Sequence, residues 1–171
     1  MNQTAVSQFV RFFTLTDASA TQRVSERLAL ALRDPAAYQA QFAEELAERG
    51  IEAELPPQQV RDIALLDALL SEGLAWESAW QDTAADIAEG LNEVLARQNQ
   101  GQALPAAGLV RPGQPGPEQL DAVQDALEPL GWALVLFTLD SDSFPLGIVA
   151  DSQAEEVRRQ AQALGFQLMV Y

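Results

Sequence analysis

The stretch that decides the fold runs from Trp132 to Tyr171 and reads WALVLFTLD (132–140), SDSF (141–144), PLGIVAD (145–151), SQAEEVRRQAQALG (152–165) and FQLMVY (166–171). The two apolar runs on either side of the Asp/Ser segment are rich in Leu, Val and Phe and predict strands. The polar segment between them has the composition of a hairpin loop. Ala154, Val157, Ala161 and Leu164 recur at helical spacing, and Gly165 stands where a helix cap wants positive φ. Residues 166–171 close the unit as a third strand. The reading is β-hairpin–α–β in strand order 2-1-3, with the two strands joined through the helix parallel to each other and linked by a right-handed crossover. In the first strand both the Leu134/Leu136 set and the Val135/Phe137 set are apolar, so both faces of the sheet need cover. Helices at 118–130 and 152–164 are expected over one face, and the N-terminal helices or a second subunit over the other.

Upstream, the chain reads as helix. Val6, Phe9, Val10 and Phe13 share one face of a short amphipathic helix over 4–15, which must dock on something. A second helix spans 17–33, with Val24, Leu28 and Leu32 inward. Asp34 and Pro35 then fit an N-cap and first helical position, and start a third helix that runs to Arg49 and stops at Gly50. After a linker at 51–57 comes a strongly apolar helix over 58–71. A short stretch, LAWESAW, leads to a long helix from about Trp80 to Gln98. Residues 101–117 hold four Gly and four Pro and read as a linker. The expected organisation is therefore a helical portion (1–100), a Pro/Gly linker (101–117) and an α-β-β-α-β portion (118–171), packed as one α+β unit with the helices on a three-stranded sheet.

Composition narrows function by exclusion. Of the 171 residues none is Cys or His, and all ten basic residues are Arg. Disulfides, thiolate metal sites, Ser-His-Asp arrangements and Schiff-base or P-loop lysines are thereby ruled out. Net charge is −15, distributed as +1 over 1–40, −10 over 41–99 and −6 over 100–171. Such a field repels phosphate backbones and anionic lipid, so neither nucleic acid nor membrane is an expected partner. A basic protein partner is compatible with it. No apolar run approaches the roughly 20 residues of a membrane span, and MNQTAVSQFVRFF lacks the features of a secretion signal. The expected compartment is the cytoplasm.

Three clusters invite chemistry. Asp140, Ser141, Asp142 and Ser143 offer two carboxylates and two hydroxyls in one loop, the oxygen chemistry that Mg²⁺ or Ca²⁺ prefers; turn capping is the plainer reading. Glu44-Glu45-Leu46-Ala47-Glu48 has the EExxE form seen in nucleotide pyrophosphohydrolases of the MazG type. With Asp82 and Asp86 it would supply a Mg²⁺ site, if the five converge; a solvated acidic face is the plainer reading. Trp76 and Trp80 lie four apart, at helical spacing, and read as core or, alternatively, as a groove for a partner.

Two stretches together resemble the bacterial domain-of-unknown-function family 6630. One is Asp62-Ile63-Ala64-Leu65-Leu66 through Gly73, then Trp80-Gln81-Asp82 and Asp86-Ile87. The other is Leu130-Gly131 through Leu136, then Leu139-Asp140-Ser141-Asp142-Ser143-Phe144 and the strand after it. Gln81 stands where that family usually has a basic residue, and Phe144 where it has Tyr. The resemblance covers about 58–171 and implies a small intracellular α+β protein with no particular activity. The functional expectation is a non-enzymatic, protein-binding module of immunity or antitoxin type that covers a basic site and is able to form a homodimer through its last strand. The alternatives are the Mg²⁺-dependent phosphohydrolase and a divalent-cation binding loop.

Overall fold

The computed structural model describes residues 3–98, 103–105, 117–139 and 143–171. Helices α1 (Gln3–Thr14), α2 (Ala18–Arg33), α3 (Pro35–Gln41), α4 (Ala43–Glu48) and α5 (Pro57–Ser71) come first, followed by strand β1 (Trp76–Ala79) and helix α6 (Ala84–Arg97). Helix α7 (Pro117–Leu127), strands β2 (Trp132–Phe137) and β3 (Ser143–Ala150), helix α8 (Ala154–Leu164) and strand β4 (Leu168–Val170) complete the chain. No helix among the described residues is long and apolar enough to cross a membrane.

The helix starts follow capping chemistry. Asp17 accepts from Ala20 N at 3.0 Å and Asp34 from Ala37 N at 3.1 Å, each satisfying a first-turn donor that the helix itself leaves open. The helix expected over 35–49 is broken at Phe42 (φ −106°, ψ 26°) into α3 and α4. There the Phe42 ring stacks on Tyr38 with centroids 4.5 Å apart, and the Arg27 guanidinium carbon lies 4.0 Å from its centroid. The long helix begins at Ala84 rather than at Trp80, because Thr83 and Asp86 form a capping box.

The fold is α+β, but the sheet has four strands where three were expected. Its order is β1-β3-β2-β4, with every neighbouring pair antiparallel. The added strand is β1, whose Trp76–Ala79 pairs with Ser143–Leu146 at the free edge of β3. The expected 2-1-3 order survives as β3-β2-β4. Because β3 and β4 both run antiparallel to β2, they run in the same direction, and α8 carries the chain from one to the other past β2.

The sheet lies between two helical layers. On one face Ala133, Val135, Phe137, Val149 and Val170 pack with α1, α2, α5 and α8. On the other, Trp132, Leu134, Leu146 and Ile148 pack with α6, α7 and Leu104. The helices expected together over one face therefore cover opposite faces. A sheet apolar on both sides accepts either arrangement; here α7 pairs with α6, while α8 packs beside α1. Of the segment read as a linker, only 103–105 and Pro117 fall within the described residues. Leu104 in it is buried, with both backbone groups bonded to the Asn92 amide (2.7 and 3.1 Å).

Candidate functional site

The apolar run of α5 carries two acids, Asp62 and Asp67, each at most 9% exposed. A carboxylate in such a place must be answered by donors or a cation. Asp62 is answered by neutral donors. Its Oδ1 accepts from Gln167 N at 2.8 Å, and both of its oxygens face Gln58 Nε2, at 3.1 and 3.2 Å. The same Gln58 nitrogen donates to Gly165 O at 2.6 Å. Asp62 thus fastens the start of β4 to α5. Burial pushes its carboxyl above the usual carboxylate range, against the pull of the Gln167 N–H, Gln58 and the Arg61 charge.

Asp67 is answered by Arg49 instead, whose Nε and Nη2 donate to Asp67 Oδ1 at 2.9 and 2.5 Å. The same guanidinium reaches Glu77 on β1, with Nη2 at 2.9 Å from Oε1 and Nη1 at 3.3 Å from Oε2. Ser143, which opens β3, donates to Glu77 Oε2 at 2.9 Å. One cation therefore joins the end of α4, α5 and β1, and Glu77 carries the link on to β3 through Ser143. Burial works against Arg49's charge, but Asp67 and Glu77 more than reverse this, and its pKa rises. Asp67 is also raised, the opposite of what an ion pair alone would do, because burial outweighs Arg49 there.

Between these two arrangements opens a cleft of about 420 Å³. Asp62, Gln58, Gln59, Gln167, Thr138 and Arg49 give it polar walls, and Ile51, Leu55, Ile63 and Leu139 give it apolar ones. The clue in the sequence was a pair of acids inside a helical run that, Arg61 aside, is otherwise apolar, VRDIALLDALL.

The residues singled out from sequence are scattered. Glu44, Glu45 and Glu48 lie on α4, where Glu45 pairs with Arg27. Asp82 accepts from Ala79 N at 2.9 Å in the turn after β1, and Asp86 is spent in the capping box of α6. Among the described residues no three acids stand together in a way that could hold a metal ion, so these five do not converge. Asp140, Ser141 and Asp142 lie outside the described residues; Ser143 starts β3 and bonds to Glu77. Trp76 and Trp80 are not on a helix. Trp76 is half-buried on β1 against α6, and Trp80, in the turn between the two elements, is 49% exposed. Period-four spacing misled because a four-residue strand and its turn happen to place both rings at that interval.

No curated protein matches the chain, and no solved structure does. A family model does match, over residues 5–171, so the likeness reaches back through α1 and is not confined to the region from residue 58 onward. Over essentially its whole length, the chain belongs to DUF6630, a domain of unknown function.

Proposed function

We propose that the protein is a non-enzymatic, cytoplasmic interaction module whose acidic surface docks a basic protein partner, in the manner of an immunity protein or antitoxin covering a basic site. The observation that carries this reading is how its charge is arranged. Arg23, Arg27, Arg49, Arg97, Arg158 and Arg159 are each tied to a carboxylate of the same chain, while the net charge is −15. Six of the ten cations are thus matched by acids of the same chain, which leaves most of the 25 acids without a cation of their own.

Asp86, Glu89 and Glu93 are exposed along α6, and Trp80 is exposed in the turn that leads into it. An aromatic anchor beside a charged stripe is the composition of an interface centre with a steering rim. The β4 edge is a poorer docking line. Thr138 N donates to Gln167 O and Tyr171 N to Leu134 O, so Val170 turns its carbonyl outward, where Arg158 Nη2 already donates to it at 2.5 Å. That favours a different protein over a second copy joined edge to edge.

The test is a pull-down at low salt with wild type, Trp80→Ala and a Glu89→Arg/Glu93→Arg double variant. A basic protein retained by wild type, released by salt and lost from both variants supports the reading. Recovery of no basic protein, or equal recovery by all three, rejects it.

A further inference from the structure

The cleft between α5 and the sheet has an unusual balance of charge and donors. Arg49, the cation on its wall, is held by two acids, Asp67 and Glu77. Asp62 makes no ion pair among the described residues. Neighbouring Arg61 donates to Gln58 Oε1 (3.3 Å) and bears on Asp62 as a nearby charge only. Asp62 Oδ2 has as its single described donor the Gln58 amide nitrogen, at 3.1 Å, which is shared with Oδ1 and with Gly165 O. A buried carboxylate whose hydrogen-bond donors are neutral and shared, and whose neighbouring cation is bonded elsewhere, is under-compensated. Beside it, Leu55, Ile63 and Leu139 offer an apolar wall, and Gln59 and Gln167 add amide groups.

We infer that this cleft binds an alkylguanidinium or alkylammonium group, with Asp62 as counter-ion, the cleft glutamines as further hydrogen-bond partners, and Leu55, Ile63 and Leu139 along the alkyl stem. The size fits: about 420 Å³ is at the small end of ligand sites, which run from about 300 to 1,000 Å³. Such a group arrives either as an Arg or Lys side chain of a polypeptide or as a free aliphatic amine or guanidine. Both bring the same cation on the same stem. An anion is disfavoured, because Asp62 lines the cleft and Arg49 is already bonded to Asp67 and Glu77. The inference extends the partner reading without depending on it, since it concerns a different surface and needs no partner protein.

The experiment is a titration of the full chain followed by ¹H–¹⁵N NMR, with butylguanidinium as probe and butylurea as its uncharged counterpart. Butylguanidinium should give saturable shifts at Gln58, Gln59, Thr138 and Gln167, with butylurea at least about tenfold weaker, the scale of one charge-assisted hydrogen bond. Asp62→Asn should weaken binding by a similar factor. Gln59→Arg, a change at an exposed position on the cleft wall, should weaken it too by supplying a competing guanidinium, and does not rely on Asp62→Asn folding. Glu89→Arg on α6 should leave the shifts unchanged even if it abolishes partner capture. A Gly-Arg-Gly peptide binding more tightly than butylguanidinium identifies a polypeptide side chain as the occupant; weaker binding identifies a free small cation. Equal binding of butylurea, or undiminished binding to both cleft variants, overturns the inference.

Discussion

The indole of Trp76 fills the space beside Gly90 that a side chain would need: a methyl group placed on Gly90 would come within 2.1 Å of Trp76 Cε2. Gly90 lies in the middle of α6, where glycine costs about 1 kcal/mol relative to alanine. The close approach explains why it is tolerated, for it lets β1 and its tryptophan lie against the helix. Gly90→Ala is expected to destabilise by about 1–3 kcal/mol, since overpacking exceeds the gain in helix propensity. Trp76→Val combined with Gly90→Ala should lose less than the sum of the two single changes. Denaturant midpoints of the four proteins measure this coupling, and strict additivity would mean that the ring simply moves aside.

Arg49 joins the helical layer to the strand that sequence reading missed. Its removal in Arg49→Met leaves Asp67 buried and Glu77 without its guanidinium. Breaking a buried pair from one side costs about 3–5 kcal/mol, and the loss should sit toward that range because the side chains of Arg49 and Asp67 are 19% and 9% exposed. Asp67→Asn in the Arg49→Met background should recover part of it by removing the orphaned charge. A loss in urea unfolding below about 1 kcal/mol, the value of a surface pair, would show that the cluster contributes no more than an exposed one.

Much of this architecture was legible because the signals were local. Asp34-Pro35 marks a helix start from two residues, and the Leu134-to-Phe137 run is apolar on both faces within four. β1 was not legible. Trp76–Ala79 is four residues long, follows a helix closely, and becomes a strand because the edge of β3 is open to it. The pairing of α7 with α6, rather than with α8, is likewise a long-range packing outcome that helical periodicity does not encode. The cleft escaped for the same reason: Gln58, Asp62 and Gln167 meet although Asp62 and Gln167 are 105 positions apart in the chain. The EExxE acids were conspicuous by spacing, yet each position's role is set by what lies opposite it, which a single sequence does not state.

Helix α1 was expected to dock on something, and its answer is the far end of the chain. Phe9 stacks on Phe166 with centroids 5.4 Å apart, and Phe13 meets Phe137 at 5.9 Å. Phe9 is fully buried, so Phe9→Ala should cost about 3–5 kcal/mol. Its loss should appear in the same unfolding transition as that of the sheet if α1 is part of one cooperative core. Tryptophan fluorescence, reporting the strands, and far-UV dichroism, reporting the helices, should stay coincident in the variant. Separate transitions would show α1 to be an appendage instead.

Asp62 yields a pH test with a definite sign. Burial raises its carboxyl pKa in the folded chain above the unfolded value of about 3.9. Between those two pKa values the native state holds more protons than the unfolded one, so this residue's contribution makes stability fall as pH rises. The favourable part is complete below the unfolded pKa and is lost as pH climbs through the folded one. Asp17, Glu72 and Glu156 are shifted down and act in the opposite direction, so the wild-type curve alone does not isolate Asp62. Asp62→Asn removes its titration. The variant also replaces an acceptor facing Gln58, a loss that is independent of pH, so the slope is the quantity to read. The stability of Asp62→Asn relative to wild type should improve as pH rises from the unfolded carboxylate value through the folded one, and level off above it. Urea unfolding of both proteins at a series of pH values gives the difference directly. A flat difference, or one that worsens toward neutral pH, would mean that the carboxylate is not held at a desolvation cost and would remove the electrostatic reason for a cation in the cleft.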